Sequence, residues 1–359
     1  MLRVVVLFLA LASLGASCGP GALAVLPGVV NDPHNRTLRR EILSFATSQL
    51  CDEMKNRSLP LKMRDPDPTI GRFFPIACMV NEIDSGNLFV QFTGHGYAWT
   101  NVTGRMGFEA SAAVEYDQDF IMQGSTMYVY FRQRDTQATS FKVLMVENAP
   151  KGGGAQLATN LFGTSVEEIT RQIGTRVLSS QLARGFTVVR EDDGTVSFSL
   201  GVMEKGEKPP VPFDRGDSDL EIAANDRAEV HSAQRDFAGP FTLKDDGALY
   251  LTLLVEGAPA IDALIVSKSV GDAWIERYER DPPAGPAPGP ALFDQAVPMS
   301  QGPVGQPPIL WRRSVPLAAG TYYVVLDNSA TAGLTPPSVH AHDDRAALVS
   351  YGVQIGDRP

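Results

Sequence analysis

The 359-residue chain is poor in cationic side chains, with 31 Lys and Arg against 41 Asp and Glu and a net charge of −10. That balance excludes nucleic acid as a partner and excludes electrostatic adhesion to anionic lipid headgroups. It has three cysteines and five histidines, and no paired-cysteine metal site, Gly-x-Ser-x-Gly elbow or Walker loop can be found. Long apolar runs are equally scarce. The one at residues 4–14 is about half the ~20 residues a spanning helix needs. Contact with a membrane must then come from an anchor or from an apolar cavity.

That run follows Arg3 and precedes Gly15, Ala16, Ser17 and Cys18, the anatomy of an export signal. The stretch resembles a bacterial lipobox, although Leu14 sits one place early and Gly15 occupies the usual Leu position. The resemblance implies a lipid on Cys18 and residence in the bacterial cell envelope, with Gly19 fitting transport to the outer membrane. The alternative is cleavage near Ala22 or Ala24 and simple secretion. An odd cysteine count in an exported protein agrees with the first reading, because modification of Cys18 leaves Cys51 and Cys78 as a pair. A disulfide between them would restrain the unfolded chain by roughly 3–4 kcal/mol; two buried free thiols are the alternative.

Length and composition predict two domains. Residues 1–18 are the signal, 19–31 a tether of small uncharged residues, 32–203 the first domain, 204–219 a Pro-rich charged linker and 220–359 the second domain. The first domain opens with a helix after Asp32-Pro33, carrying Leu38, Ile42, Phe45, Leu50 and Met54 on one stripe. Period-two strands follow: Leu88, Val90 and Phe92, then Met106, Phe108, Ala110, Ala112, Val114 and Tyr116 against Arg105, Glu109, Ser111 and Glu115. Such alternation predicts one dry and one wet face. Further strands are expected at 127–132 and 141–147. A second helix with Ile169, Ile173, Val177, Leu178 and Leu182 stops at Gly185, and a hairpin turns at Asp193-Gly194.

The second domain reads as all-β, with strands on both sides of Asp246-Gly247, in "IDALIVSK", in "WIERYER", as a hairpin-like pair in "SVPLAAGTYYVVLDNS", and in "AALVSYGVQIG". Residues 281–308 read as a Pro/Gly-rich loop. The fold class expected is therefore an α+β domain, a long curved antiparallel sheet wrapping amphipathic helices, followed by a β-sandwich or jelly roll.

The first domain's order resembles the tubular lipid-binding (TULIP-like) proteins, which implies a greasy channel. Phe45, Met106, Phe108, Val114, Tyr116, Met127, Val129, Phe131, Ile169 and Ile173 would line it. Against this stands the plainer arrangement in which both helices plug the sheet face. Asp262 and the run from Ala319 through Gly320, Thr321, Tyr322 and Tyr323 to Val324 resemble the bacterial pre-peptidase C-terminal domains, which implies a non-catalytic appended module. Tyr322 and Tyr323 are expected as one core and one exposed aromatic.

Chemistry-bearing clusters are few. His340, His342, Asp343 and Asp344 imitate a zinc hydrolase loop, but Arg345 stands where a further histidine belongs. Asp214, Asp217, Asp219 and Glu221 are weak Ca²⁺ candidates against a plain charged linker. No enzyme activity, cofactor or metal is expected. The leading expectation is a lipid-anchored protein holding a lipid or acyl chain in its first domain; the alternative is a surface adhesion or scaffold protein binding glycan or protein, whose identity the sequence leaves unknown.

Overall fold

The computed structural model describes residues 28, 30–40, 43, 51, 54–55, 57–64, 67–83, 87–147, 166–190, 196–204, 207, 211–214, 220–283, 285–302, 305–336, 339 and 345–359. The protein is mostly β-sheet. Seven strands pair antiparallel in chain order: β1 (Leu59–Leu61), β2 (Gly71–Glu82), β3 (Leu88–Thr100), β4 (Gly104–Gln123), β5 (Thr126–Val146), β6 (Phe186–Arg190) and β7 (Val196–Leu200). The two expected strands at 127–132 and 141–147 are one strand of 21 residues. Three register shifts against β4, at Gly107/Phe108, Ser111/Ala113 and Glu115/Tyr116, keep so long a pair from lying flat.

Helix α1 (Val166–Ala183) occupies the trough of this curled sheet. Val177, Leu178 and Leu182 share one buried face, as their spacing predicts. The helix reaches both ends of the sheet. Gln181 donates to the carbonyl of Lys62 beside β1, and Gly185 leads directly into β6. Gly185 has φ +63, and a Cβ there would lie 1.9 Å from the Phe131 carbonyl oxygen, so only glycine makes the turn. Cys51 and Cys78 form the expected disulfide, with Cα atoms 5.3 Å apart, fixing the segment before β1 to β2.

The second half contains β8 (Glu221–Val230), β9 (Gln234–Leu243), β10 (Gly247–Glu256), β11 (Ala260–Ser267), α2 (Lys268–Arg280), β12 (Phe293–Pro298), β13 (Trp311–Leu317), β14 (Gly320–Asn328) and β15 (Ala347–Gly356). They make two four-stranded antiparallel sheets, β13-β10-β15-β8 and β12-β11-β14-β9. Leu249, Leu251, Leu253, Val349 and Val353 from the first meet Ile261, Ala263, Ile265, Val324 and Leu326 from the second. The strands flanking Asp246-Gly247 lie in opposite sheets, as do those flanking Ala319, so neither pair is a hairpin.

Two further expectations give way. "WIERYER" belongs to α2, because Trp274 and Tyr278 are four residues apart, Ile275 lies beside them, and all three are buried on one helical face. Residues 293–298, inside the tract read as a loop, pair with β11 as β12.

The second sheet is buried on both sides. Its outward residues Leu264, Val266, Tyr323 and Val325 pack with Phe237 against Trp274, Ile275 and Tyr278 of α2 and against Phe74 and Tyr97 of the seven-stranded sheet. Tyr322 and Tyr323 are both buried, since the face expected to be wet is covered. For the same reason the outer face of the first sheet is dry near its end: Arg105 is 1% exposed. Gly107 permits that approach, because a Cβ would fall 1.8 Å from the Glu279 carbonyl oxygen in α2.

Candidate functional site

Titratable groups converge at the seam where the two halves meet. Arg72 projects from β2 into this seam, where Asp236 of β9 grips it bidentately. Nε donates to Oδ1 at 2.7 Å and Nη2 to Oδ2 at 2.6 Å. Nη2 also donates to the Tyr351 hydroxyl oxygen at 2.8 Å. Burial works against the Arg72 charge, but Asp236 outweighs it and the guanidinium holds its proton more firmly than usual. The Tyr97 hydroxyl donates to Asp236 Oδ1 at 2.8 Å and accepts the Phe237 N–H at 2.9 Å. Burial and the neighbouring carboxylate raise its pKa well above the ordinary phenol value.

A second cationic centre lies beside the first. Arg235 pairs with Asp327 at 2.9 Å, both fully buried, and its guanidinium lies 4.4 Å over the Trp274 ring. Its Nη groups donate to the Gly285 carbonyl, Ser329 Oγ and Thr331 Oγ1. Arg105 sits 4.0 Å over the Tyr278 ring and donates to the Asp281 carbonyl at 2.9 Å, with Glu147 a looser partner at 3.5 Å. At the margin His95 Nδ1 meets both oxygens of Glu279, at 2.7 and 2.8 Å. Burial lowers the His95 pKa in part, but the Glu279 hydrogen bond and charge win and the net direction is upward. Burial raises that of Glu279 as well.

Chemically, the seam fixes the halves to one another. Arg72 with Asp236 and His95 with Glu279 pair opposite charges across the joint, while Arg235 with Asp327 and Arg105 with Glu147 pair within one half beside it; water is largely excluded there, so removing one partner strands a buried charge. A backbone strip extends the joint, with a parallel bridge between Thr69 and Ala228 and an ion pair between Lys62 and Asp226 at 2.7 Å.

The residues expected to line a lipid channel come together in the trough, but as core. Met106, Phe108, Val114, Tyr116, Val129 and Phe131 are each at most 3% exposed and share one cluster. Phe108 stacks on Phe141 at 4.6 Å and Phe131 on Phe186 at 4.2 Å. Met127 and Ile173 lie half-buried at its margin. Among the described residues, the trough retains a void of about 20 Å³ beside Leu59, Leu61, Leu178 and Phe186. That is room for a molecule of water size, far from the ~300 Å³ where ligand pockets begin.

Cys18 and the side chains of Phe45 and Ile169 lie outside the described residues, as do His340, His342, Asp343, Asp344, Asp217 and Asp219. Asp214 and Glu221 are described and exposed. Among the described residues no group of three His, Cys, Asp or Glu side chains is arranged to hold a metal. No described helix is long and apolar enough to cross a membrane. Sequence reasoning missed Arg72, Arg105, Arg235 and Asp236; the visible trace was the charged pair Arg235-Asp236 opening an apolar strand.

No family model matches the chain, and no curated protein matches it. Solved structures that match include a glycoside hydrolase family 43 arabinoxylan arabinofuranohydrolase from Bacillus subtilis in complex with cellotetraose. It is 11% identical over 80% of this chain and 68% of that one, with a TM-score of 0.23. The structure of infectious bursal disease virus, Gx strain, is 9% identical over 83% of this chain and 74% of that one, with a TM-score of 0.20. At such scores neither likeness carries an argument about fold or activity.

Proposed function

We propose that the chain is an exported, non-enzymatic scaffold or adhesion protein, held to the envelope through Cys18, that binds a glycan or protein on its carboxy-terminal sandwich. The observation that carries this reading is the filled trough. The apolar face on which a lipid-binding function rests is occupied by α1 and by stacked aromatic rings. The sandwich, in contrast, has a sheet face that neither α2 nor the amino-terminal half packs against in the core clusters. Along β10 the half-exposed Tyr250, Thr252 and Leu254 alternate with buried Leu249, Leu251 and Leu253. Register sets Ser314 and Arg312 of β13 beside Tyr250 and Thr252. Such a mixed aromatic, hydroxyl and cationic surface suits sugar hydroxyls or a polar protein epitope.

The test uses the whole mature chain, prepared without detergent. Glycan-array or pull-down binding should be abolished by Thr252→Lys with Leu254→Glu and unaffected by substitutions in the trough. Stoichiometric lipid found by mass spectrometry after extraction would overturn the reading. It would restore the lipid-binding alternative, which the curled sheet around a helix supports and which requires α1 to leave the trough.

A further inference from the structure

Asp294 stands on β12, at the edge of the sandwich sheet that α2 covers. Register places it on one face with three other charged side chains of that sheet. Asp262 of β11 lies opposite Asp327 of β14, and Asp327 lies opposite Arg235 of β9. On its other flank Asp262 faces Ala296 of β12, two residues from Asp294 and on the same side of the strand. Directly opposed Cβ atoms are about 5 Å apart and diagonal ones about 7–8 Å, so three carboxyl groups and one guanidinium form a row.

The row is dry and short of positive charge. Asp262, Asp327 and Arg235 are at most 2% exposed, and Arg235 pairs with Asp327 at 2.9 Å. The segment over them, residues 329–335, brings no charge. It brings N–H groups: Ser329 donates to Asp327 Oδ1 at 2.7 Å, and Leu334 and Thr335 donate to Asp262 Oδ1 at 2.8 and 2.9 Å. Gly333 lets that segment lie close, since a Cβ there would fall 2.1 Å from the Asp262 carboxyl carbon. Asp294 Oδ1 and Thr335 Oγ1 are buried here with no hydrogen-bond partner among the described residues. With all three carboxyl groups ionised, a single guanidinium would face three negative charges in a place water scarcely enters. Neighbouring buried carboxylates escape that cost by keeping a proton. The half-buried Asp294 is the member that solvent reaches, and burial together with the charges of Asp262 and Asp327 pushes its pKa up to about 6.

We infer that the row is a proton-binding site in which the Asp294 carboxyl, protonated in mild acid, donates to Asp262 and so pins edge strand β12 to its sheet. Ionisation of Asp294 sets like charges against one another and loosens the strand. The effect extends beyond β12, because the ring of Phe293 on that strand lies 6.4 Å from Trp311 at the start of β13, the strand that bears Arg312 and Ser314.

The test is hydrogen exchange of the β12 amides in the whole chain from pH 4 to 8, corrected for the intrinsic pH dependence of exchange. The raised folded pKa fixes the sign: the pinning is complete below the ordinary Asp value of 3.8 and is lost as pH rises through about 6. Opening of β12 should therefore become more frequent across that window, by at most about tenfold per pH unit, and level off above it. Asp294→Asn, which keeps a donor and cannot ionise, should exchange slowly and without that slope, and the Asp294 carboxyl carbon of the wild type should titrate near 6 by NMR. If the variant does not fold, the wild-type exchange profile and the carbon titration decide the matter. A slope that survives in Asp294→Asn, or an Asp294 carbon titrating at about 4, overturns the inference. So does a wild-type Tm raised by calcium at neutral pH when that of Asp294→Asn is not, which would give the surplus negative charge to a cation instead of a proton.

Discussion

The trough and the seam solve opposite problems with the same sheet. On its concave side the sheet buries Met106, Phe108, Val114 and Phe131 against α1. That packing is non-directional and tolerates exchange of one apolar group for another of similar volume. On its outer side, one residue away along the same strands, it buries Arg72, Tyr97 and Arg105 against β9 and α2. There each group depends on a named partner at a fixed distance. The contrast teaches that one half of this chain supplies bulk and the joint supplies specificity. A single strand, β4, serves both by alternation.

Four substitutions or conditions would break or sharpen that contrast. The largest effect is expected from Asp236→Ala, which leaves Arg72 and Tyr97 buried without their acceptor and should cost about 3–5 kcal/mol in denaturant unfolding. Because Asp236 joins both halves, they should unfold in one transition at lower denaturant. Two separated transitions would show that the joint does not couple them. Leu182→Ala in the trough should cost about 2–5 kcal/mol without uncoupling the halves, and the enlarged hole should take up a small apolar probe such as benzene. Loss of coupling in that variant would erase the distinction between the two regions.

Reducing the Cys51–Cys78 bond should lower stability by roughly 3 kcal/mol on the chain-entropy view, detectable as a fall in Tm on adding reductant. The smallest effect is a pH dependence at the margin of the seam. His95 has a raised pKa in the folded state, so its contribution is complete below the unfolded value of ~6.5 and fades as pH climbs through the higher folded value. Glu279, also raised, changes in the same sense. The slope should stay below about 1.4 kcal/mol per pH unit, reduced by the partial exposure of His95. Melting His95→Gln across pH 6 to 9 should show that slope removed; an unchanged slope would assign it elsewhere.

Much of the trough could be read in the residues themselves. Strict alternation from Met106 to Tyr116 specified β4, and the stripe through Ile173, Val177 and Leu182 specified α1, since both patterns follow from local geometry. The seam was hidden for a physical reason. A charged residue at an alternate position reads as wet, and only the arrival of a distant segment makes it dry. Arg105 illustrates this, as nearby Gly107 signals a close backbone approach without saying by what. Trp274 and Tyr278 were misread because residues four apart satisfy both a two-residue and a helical repeat. The double burial of Tyr322 and Tyr323 depended on α2, so missing the helix also hid the covered face.

The covalent link between Cys51 and Cys78 has a mechanical consequence. Tension applied anywhere upstream of Cys51 passes through sulfur into the middle of β2, bypassing the segment between Met54 and β1. The load then reaches a strand hydrogen-bonded on both flanks, by β1 near one end and by β3 along its length. A chain pulled from its amino-terminal side would therefore resist as a clamped sheet, and would begin to unzip from there only after reduction.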